Sequence, residues 1–372
     1  MPARERTSDA GSGKTAASSV EGKMSELVRV AVDAMGGDYA PAEPVKGAVE
    51  ALREDGRIRV ILTGDQDAIA RELEKYPDVP KDRLEVIHTT QVIETGEPPV
   101  RAIQGKKDSS LVVGLNLVHR GEADALVSSG STGAVLVGGQ AIAKKIRGIQ
   151  RAPLAPLIPT EKGASLLIDC GANVDARPAH LVQFAVIGSI YMKSICGIEN
   201  PRVGLVNIGA EEEKGNALCK ETFPLLKART DINFIGNVEA RDIPSGAADV
   251  YVTEAFVGNV ILKMYEGVAK SLLKAVKSGI KSTPVSSLGG LLIKPALKKT
   301  LASFDISSYG GAPLLGLQGL VVKTHGSSKA KEIKNTILQC IQFKEEDVNG
   351  KIQEFLRREK EEKAAAGQES AE

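Results

Sequence analysis

Short runs of β-branched and apolar residues alternate with stretches of helical periodicity along most of the chain, and this alternation limits the fold more than any other feature. Residues 28–32 (Val-Arg-Val-Ala-Val), 59–62, 84–88, 125–127, 165–168, 203–206, 233–235, 250–252 and 320–323 read as strands. Helical segments lie between most of them, for example 44–53 and 68–75. Repeated β-then-α with near-continuous apolar strands predicts an α/β chain: a mostly parallel open sheet with helices on both faces. In such sheets ligands bind beyond the carboxyl ends of the strands.

That rule directs attention to the loops that follow the strands. After the first strand comes Asp33-Ala34-Met35-Gly36-Gly37-Asp38, and after the fourth Ser128-Ser129-Gly130-Ser131-Thr132-Gly133. The fifth is followed by Asp169-Cys170-Gly171-Ala172-Asn173, and the sixth by Asn207-Ile208-Gly209 and then Lys214-Gly215-Asn216. The eighth leads into Thr253-Glu254-Ala255-Phe256-Val257-Gly258-Asn259, and the last into Thr324-His325-Gly326-Ser327-Ser328. One such loop would be an ordinary turn. Six small, polar, Gly-rich loops at the same end of successive strands predict a shared site.

Composition narrows the function. Hydrophobic residues make up 42% of the chain and charged residues 26%, enough for a sizeable core. The 48 Lys and Arg nearly balance the 47 Asp and Glu, and aromatics are only 3%. A nucleic-acid binder, with its basic surface or its exposed stacking rings, is a poor fit. Four scattered cysteines without CxxC or a nearby His suggest reduced thiols, a cytoplasmic setting and no zinc site. No metal or cofactor is expected, since the loops carry no ligand cluster and no GxGxxG. No run approaches 18 consecutive apolar residues, so no membrane-spanning helix is expected. Residues 1–24 read as a disordered leader, in which Gly11-Ser12-Gly13-Lys14-Thr15 lacks the first glycine of a phosphate-binding P-loop. Residues 27–343 form the α/β domain, and 344–372 a charged helix that decays into a solvated tail from Ala366.

The loops can be weighed for chemistry. Ser129, Gly130, Ser131, Thr132 and Gly133 precede a helix expected to begin near Ala134, which makes either a phosphate cradle or an ordinary helix cap. Lys214 either holds phosphate or a developing oxyanion, or is a solvated charge. Asn259 opens a helix over 260–276 and either donates to a carbonyl or caps that helix. The loops offer no Ser-His-Asp set and no Cys beside a His. The site therefore suits a substrate anion that is itself the nucleophile. Phosphate attacking a thioester fits, because a thiolate with a pKa of about 8.5 leaves without strong acid assistance.

Residues 280–305 stand apart. Leu288, Leu291, Leu292, Ala296 and Leu301 recur at helical spacing, with Lys294, Lys298 and Lys299 largely off that stripe. Between Lys263 and Lys299 eight Lys face one Glu. Pro284 and Pro295 are expected to break the segment into a helical hairpin. Such a hairpin suits an anionic membrane surface, an acidic protein partner or a dimer contact.

Taken in order, Asp33 to Asp38 with Ala40-Pro41, Ser128 to Ala134, Asp169 to Asn173, Asn207 to Asn216, Phe256 to Asn259, Tyr309 to Gly316 and His325 to Ser328 resemble the motifs of the bacterial phosphate acyltransferase family of phospholipid synthesis. The resemblance covers residues 27–343. It implies a fold similar to the phosphotransacetylases and the isocitrate/isopropylmalate dehydrogenases. It implies transfer of a long acyl chain from acyl carrier protein to inorganic phosphate, giving an acyl-phosphate for phosphatidic acid synthesis. It also implies a homodimer, associated peripherally with the membrane through the hairpin and serving a downstream glycerol-3-phosphate acyltransferase. The family's functional Lys and Asn fall on Lys214 and Asn259. Asp33, Gly36, Gly37, Asp38, Asn173, Asn207, Asn216 and His325 join the 129–133 loop as substrate-binding candidates. Ser131, Glu254 and Ala255 depart from the family pattern, which has Asn at the first of these and Asp-Gly at the other two. A coenzyme A-dependent phosphotransacylase and a non-catalytic membrane-docked scaffold are the competing readings.

Overall fold

The computed structural model describes residues 27–302 and 309–369, so the leader at 1–24 and the last part of the 280–305 segment lie outside the described residues. Nine strands form where the apolar runs predict them: β1 (Val28–Asp33), β2 (Ile58–Gly64), β3 (Leu84–His88), β4 (Ala125–Ser128), β6 (Gly163–Ile168), β7 (Arg202–Asn207), β8 (Asn233–Glu239), β9 (Val250–Val252) and β11 (Leu320–Lys323). Two more, β5 (Leu157–Thr160) and β10 (Ala312–Pro313), were not expected. Both contain proline, and both sit at a sheet edge, the place where a residue without an N–H is tolerated.

The strands divide into two sheets where the sequence suggests one. The first has the order β10-β11-β4-β1-β2-β3 and the second β5-β6-β9-β7-β8. Every pairing is parallel except the edge pairs β10 with β11 and β5 with β6. The helices are α1 (Ala42–Glu54), α2 (Gln66–Leu73), α3 (Pro99–Gly105), α4 (Ser110–His119), α5 (Thr132–Gly138), α6 (Pro178–Cys196), α7 (Ala217–Lys227), α8 (Ala255–Ile280), α9 (Pro284–Ala302), α10 (Ala330–Glu345) and α11 (Val348–Glu369).

Alternation along the strands sorts side chains between two layers. Val30 and Val32 of β1, Val127 of β4 and Val322 of β11 join Val45, Leu52, Ile333 and Ile337 of α1 and α10. Their neighbours Ala31, Leu126 and Val321 join Leu111, Leu115 and Val135 of α4 and α5 on the opposite face. The first of these clusters continues into the second sheet through Ile146, Ala155 and Leu315 to Ile168, Phe184 and Val252. A strap at residues 152–155 joins the sheets: Leu154 bridges to Leu314, while its N–H donates to Asp169 Oδ1 at 3.0 Å.

One helix, α6, is long and apolar enough to cross a membrane by length and composition, and half of it is buried in the fold. Two expectations need correction. First, the hairpin is longer than 280–305: its first arm is the distal part of α8, and α9 runs unbroken through Pro295. Pro284 does mark the break between the arms: α8 ends at Ile280, and Pro284 opens α9, where a missing N–H costs no helical bond. Second, the C-terminal helix does not decay at Ala366 but runs to Glu369. Its Val348 and Ile352 are buried, apolar residues recurring every fourth position among the charges.

Candidate active site

The first rim is built where three loops of the first sheet interlock. Asp33 ends β1 with both carboxylate oxygens occupied: Ser110 Oγ donates to Oδ1 at 2.6 Å and Ser128 Oγ to Oδ2 at 2.7 Å. Burial raises the pKa of this carboxyl, and the two hydroxyls oppose that rise. Gly36 is obligatory, since a Cβ there would stand 2.4 Å from Asp33 Oδ2 and 2.7 Å from the Gly130 nitrogen. Gly37 takes φ +99° against Ser129, a left-handed conformation suited to glycine. The Asp38 N–H donates to the Gly326 carbonyl at 2.8 Å, and the Ser129 and Thr324 hydroxyls meet at 2.6 Å. The sequence-predicted residues Asp33, Gly36, Gly37, Asp38, Ser129 and Gly130 are thus brought together.

The start of α5 adjoins this rim. It begins at Thr132, two residues earlier than expected. Ser131 occupies the cap position, but its hydroxyl makes no capping bond although the residue is only 5% exposed. Thr132 is exposed, and Gly133 admits the close approach of Pro99 from α3. His325 is exposed and bonded within its own loop, where Nδ1 meets Ser327 Oγ at 2.8 Å.

The second rim is less tightly tied. Asp169 accepts from the Leu154 and Ala172 N–H groups and from Asn173 Nδ2 at 2.6 Å, and burial raises its pKa. Asn173 also donates to the Ala152 carbonyl. Asn207 donates to the Lys214 carbonyl and accepts from the Ile208 N–H, and so shapes the loop between them. Asn216 caps α7 by accepting from the Cys219 N–H at 2.9 Å. These amides hold loops in shape. Lys214 is different: it is exposed and makes no ion pair among the described residues.

Asn259 is not a helix cap. That role belongs to Glu254, whose carboxylate accepts from the Phe256 and Val257 N–H groups at 2.6 and 2.9 Å. Asn259 lies in the second turn of α8, half-buried, and its amide has no hydrogen-bond partner among the described residues. The position is set by Gly258, where a Cβ would fall 1.9 Å from the Asp169 carbonyl oxygen. Lys263, one turn beyond Asn259 on the same face of α8, lies close enough to the first rim for its charge to act on Lys323. α8, seated on the second rim at Gly258, thus also runs near the first.

Sequence reasoning missed Lys323. It is only 7% exposed at the end of β11, and burial lowers its pKa to about 8. The one signal for it was a lysine closing an otherwise apolar strand.

In the hairpin, Leu288, Leu291 and Leu292 are exposed, as is Lys294. The side chains of Lys298 and Lys299 lie outside the described residues. Phe256, Val260, Met264, Val268, Leu272 and Val276 of α8 are exposed too, at every fourth position.

Residues 28–351 match the family described as "Fatty acid synthesis protein". A phosphate acyltransferase of Alkaliphilus oremlandii is 49% identical over 327 residues, 88% of this chain and 97% of that one. One from Clostridium perfringens is 48% identical over 329 residues, with the same shares of each chain. In fold, the chain is similar to a phosphotransacetylase from Streptococcus pyogenes, at a TM-score of 0.56 and 17% identity over 86% of this chain and 94% of that one. The EutD phosphotransacetylase from Staphylococcus aureus gives a TM-score of 0.53 at 16% identity, covering 85% and 94%. With two relatives near half identity along almost their full length, the chain belongs to the phosphate acyltransferase family and is an acyltransferase.

Proposed function

We propose that this chain transfers a long-chain acyl group from acyl carrier protein to inorganic phosphate, releasing an acyl-phosphate for phosphatidic acid synthesis. What supports the reading is an interlocked Ser/Gly rim on the first sheet together with a free amide and a free lysine on the rim of the second. Phosphate lies in the 128–133 loop, near the Ser131 hydroxyl and the first N–H groups of α5. Asn259 orients and polarises the thioester carbonyl, and Lys214 stabilises phosphate or the developing oxyanion. A phosphate oxygen attacks the carbonyl carbon, a tetrahedral intermediate forms, and its collapse breaks the C–S bond. The electron pair leaves with the carrier's thiolate, so no protein nucleophile is required.

The donor and the location rest on the hairpin. Eight Lys against one Glu from Lys263 to Lys299, beside exposed leucines, suit an acidic carrier protein and an anionic lipid surface. The apolar stripe on α8 suits pairing with a second copy. The chain is accordingly a cytoplasmic homodimer that docks peripherally on the membrane, where a glycerol-3-phosphate acyltransferase would receive its product.

The test is incubation of the full chain with phosphate and either an acyl-carrier-protein thioester or the matching coenzyme A thioester, trapping acyl-phosphate with hydroxylamine. Faster product formation from the carrier-protein donor is expected. Equal or faster turnover of the coenzyme A thioester would overturn the donor assignment. For the membrane claim, Leu291→Glu is expected to reduce co-flotation with anionic vesicles while acyl-phosphate formation in solution persists; unchanged flotation would count against it.

A further inference from the structure

Strand register aligns a row of side chains across the carboxyl end of the first sheet. Lys323 of β11 stands beside Ser128 of β4. Ser128 donates to Asp33, the last residue of β1, and Asp33 is in register with Thr63 of β2. Side chains two residues apart on a strand share a face. Val321, Leu126 and Ala31, two places before Lys323, Ser128 and Asp33, all join the cluster on the α4/α5 side. Lys323, Ser128 and Asp33 therefore point to the side where the 128–133 loop turns into α5.

Lys323 is nearly buried, and lysines are rarely so without a partner for their charge. Its ammonium donates to the Thr324 carbonyl, and Thr324 in turn meets Ser129. No carboxylate forms an ion pair with it among the described residues. Asp33 is engaged with two hydroxyls, and burial favours its neutral form. Three charged groups act on Lys323: Asp33 from β1, Asp38 from the following loop, and Lys263 from α8, which opposes the other two. The result is a fixed, incompletely compensated cation beside a loop of hydroxyls and N–H groups.

We propose that Lys323 is a phosphate-binding residue, the positive charge against which the acceptor phosphate seats in the 128–133 loop. This rests on the acceptor reading given above and divides the labour between the two lysines: Lys323 holds phosphate, and the exposed Lys214 on the other rim serves the oxyanion.

The test follows the broadening of the ³¹P resonance of inorganic phosphate on adding the full chain, which needs no acyl donor, together with the phosphate KM. Lys323→Met keeps the stem and removes the charge. It is expected to abolish the broadening and raise the phosphate KM about 10–100-fold, as for loss of a charged hydrogen bond. The acyl-donor KM should stay within about twofold, and Lys323→Arg should restore most of the phosphate affinity. In the unmodified chain, phosphate affinity should fall as pH rises through about 8, where Lys323 loses its proton, and Lys323→Arg should flatten that fall. The pH arm keeps the test open should the Met variant fail to fold. Phosphate binding by Lys323→Met within twofold of normal, a flat pH profile in the unmodified chain, or no phosphate binding by it at all would each overturn the proposal. Normal phosphate binding without acyl-phosphate formation would instead overturn the function assigned above.

Discussion

The two rims treat their polar groups differently. On the first, Asp33, Ser110, Ser128, Ser129 and Thr324 bond to one another, and glycines at 36 and 37 let the loops touch. On the second, Asn173, Asn207 and Asn216 are tied to backbone, while Lys214 and Asn259 have no partner among the described residues. The first rim is held in shape by its own side chains. The second holds two side chains with unused hydrogen-bonding capacity. Under the proposed function the first rim binds phosphate and the second stabilises charge in the transition state.

That contrast can be broken by substitution. The largest effect is expected for Lys214→Ala: about 100–1,000-fold lower kcat, or roughly 3–4 kcal/mol, with the melting temperature unchanged because the side chain supports nothing in the fold. Near-normal turnover would remove Lys214 from the chemistry. Next comes Gly258→Ala. Alanine favours a helix over glycine by about 1 kcal/mol, but here its Cβ would meet the Asp169 carbonyl at 1.9 Å. A net loss of about 1–3 kcal/mol is expected in denaturant unfolding, along with reduced activity as Asn259 shifts. Stabilisation would show that α8 can lift off the second rim freely. The smallest effect is expected for Glu254→Ala, which removes the cap of α8 and should cost about 0.5–2 kcal/mol of stability with only a modest change in kcat. A loss of activity as large as that of Lys214→Ala would mean that Glu254 does more than hold the helix.

Much of this architecture is legible in the sequence, for a physical reason. A strand buried on both faces is apolar at most positions, so the parallel strands announce themselves. The edge strands carrying Pro159 and Pro313 do not, since pairing on one side only relaxes that demand. The division into two sheets is invisible because it depends on which strands pair, not on what each strand contains. The loops of the site were found by their position after strands. The roles of Asn207 and Asn216 were not, because an amide that caps or ties a loop has the same composition as one that binds substrate. Lys323 escaped notice for the opposite reason. A lysine at a strand end reads as a solvated charge, and only the register with Ser128 turns it inward. The charged helix expected in 344–372 forms as α11, and only its run past Ala366 to Glu369 is not legible.

One consequence of α8 concerns mechanics. The helix has 26 residues and so is about 39 Å long, with no proline to hinge it. It rests on the Asp169 carbonyl at Gly258, carries Asn259 in the next position, and bears the exposed hairpin at its far end. It is a lever with its fulcrum at the second rim. A load at the hairpin would act through a long arm, and Asn259 sits beside the pivot. The hairpin and Asn259 are two ends of a single helix.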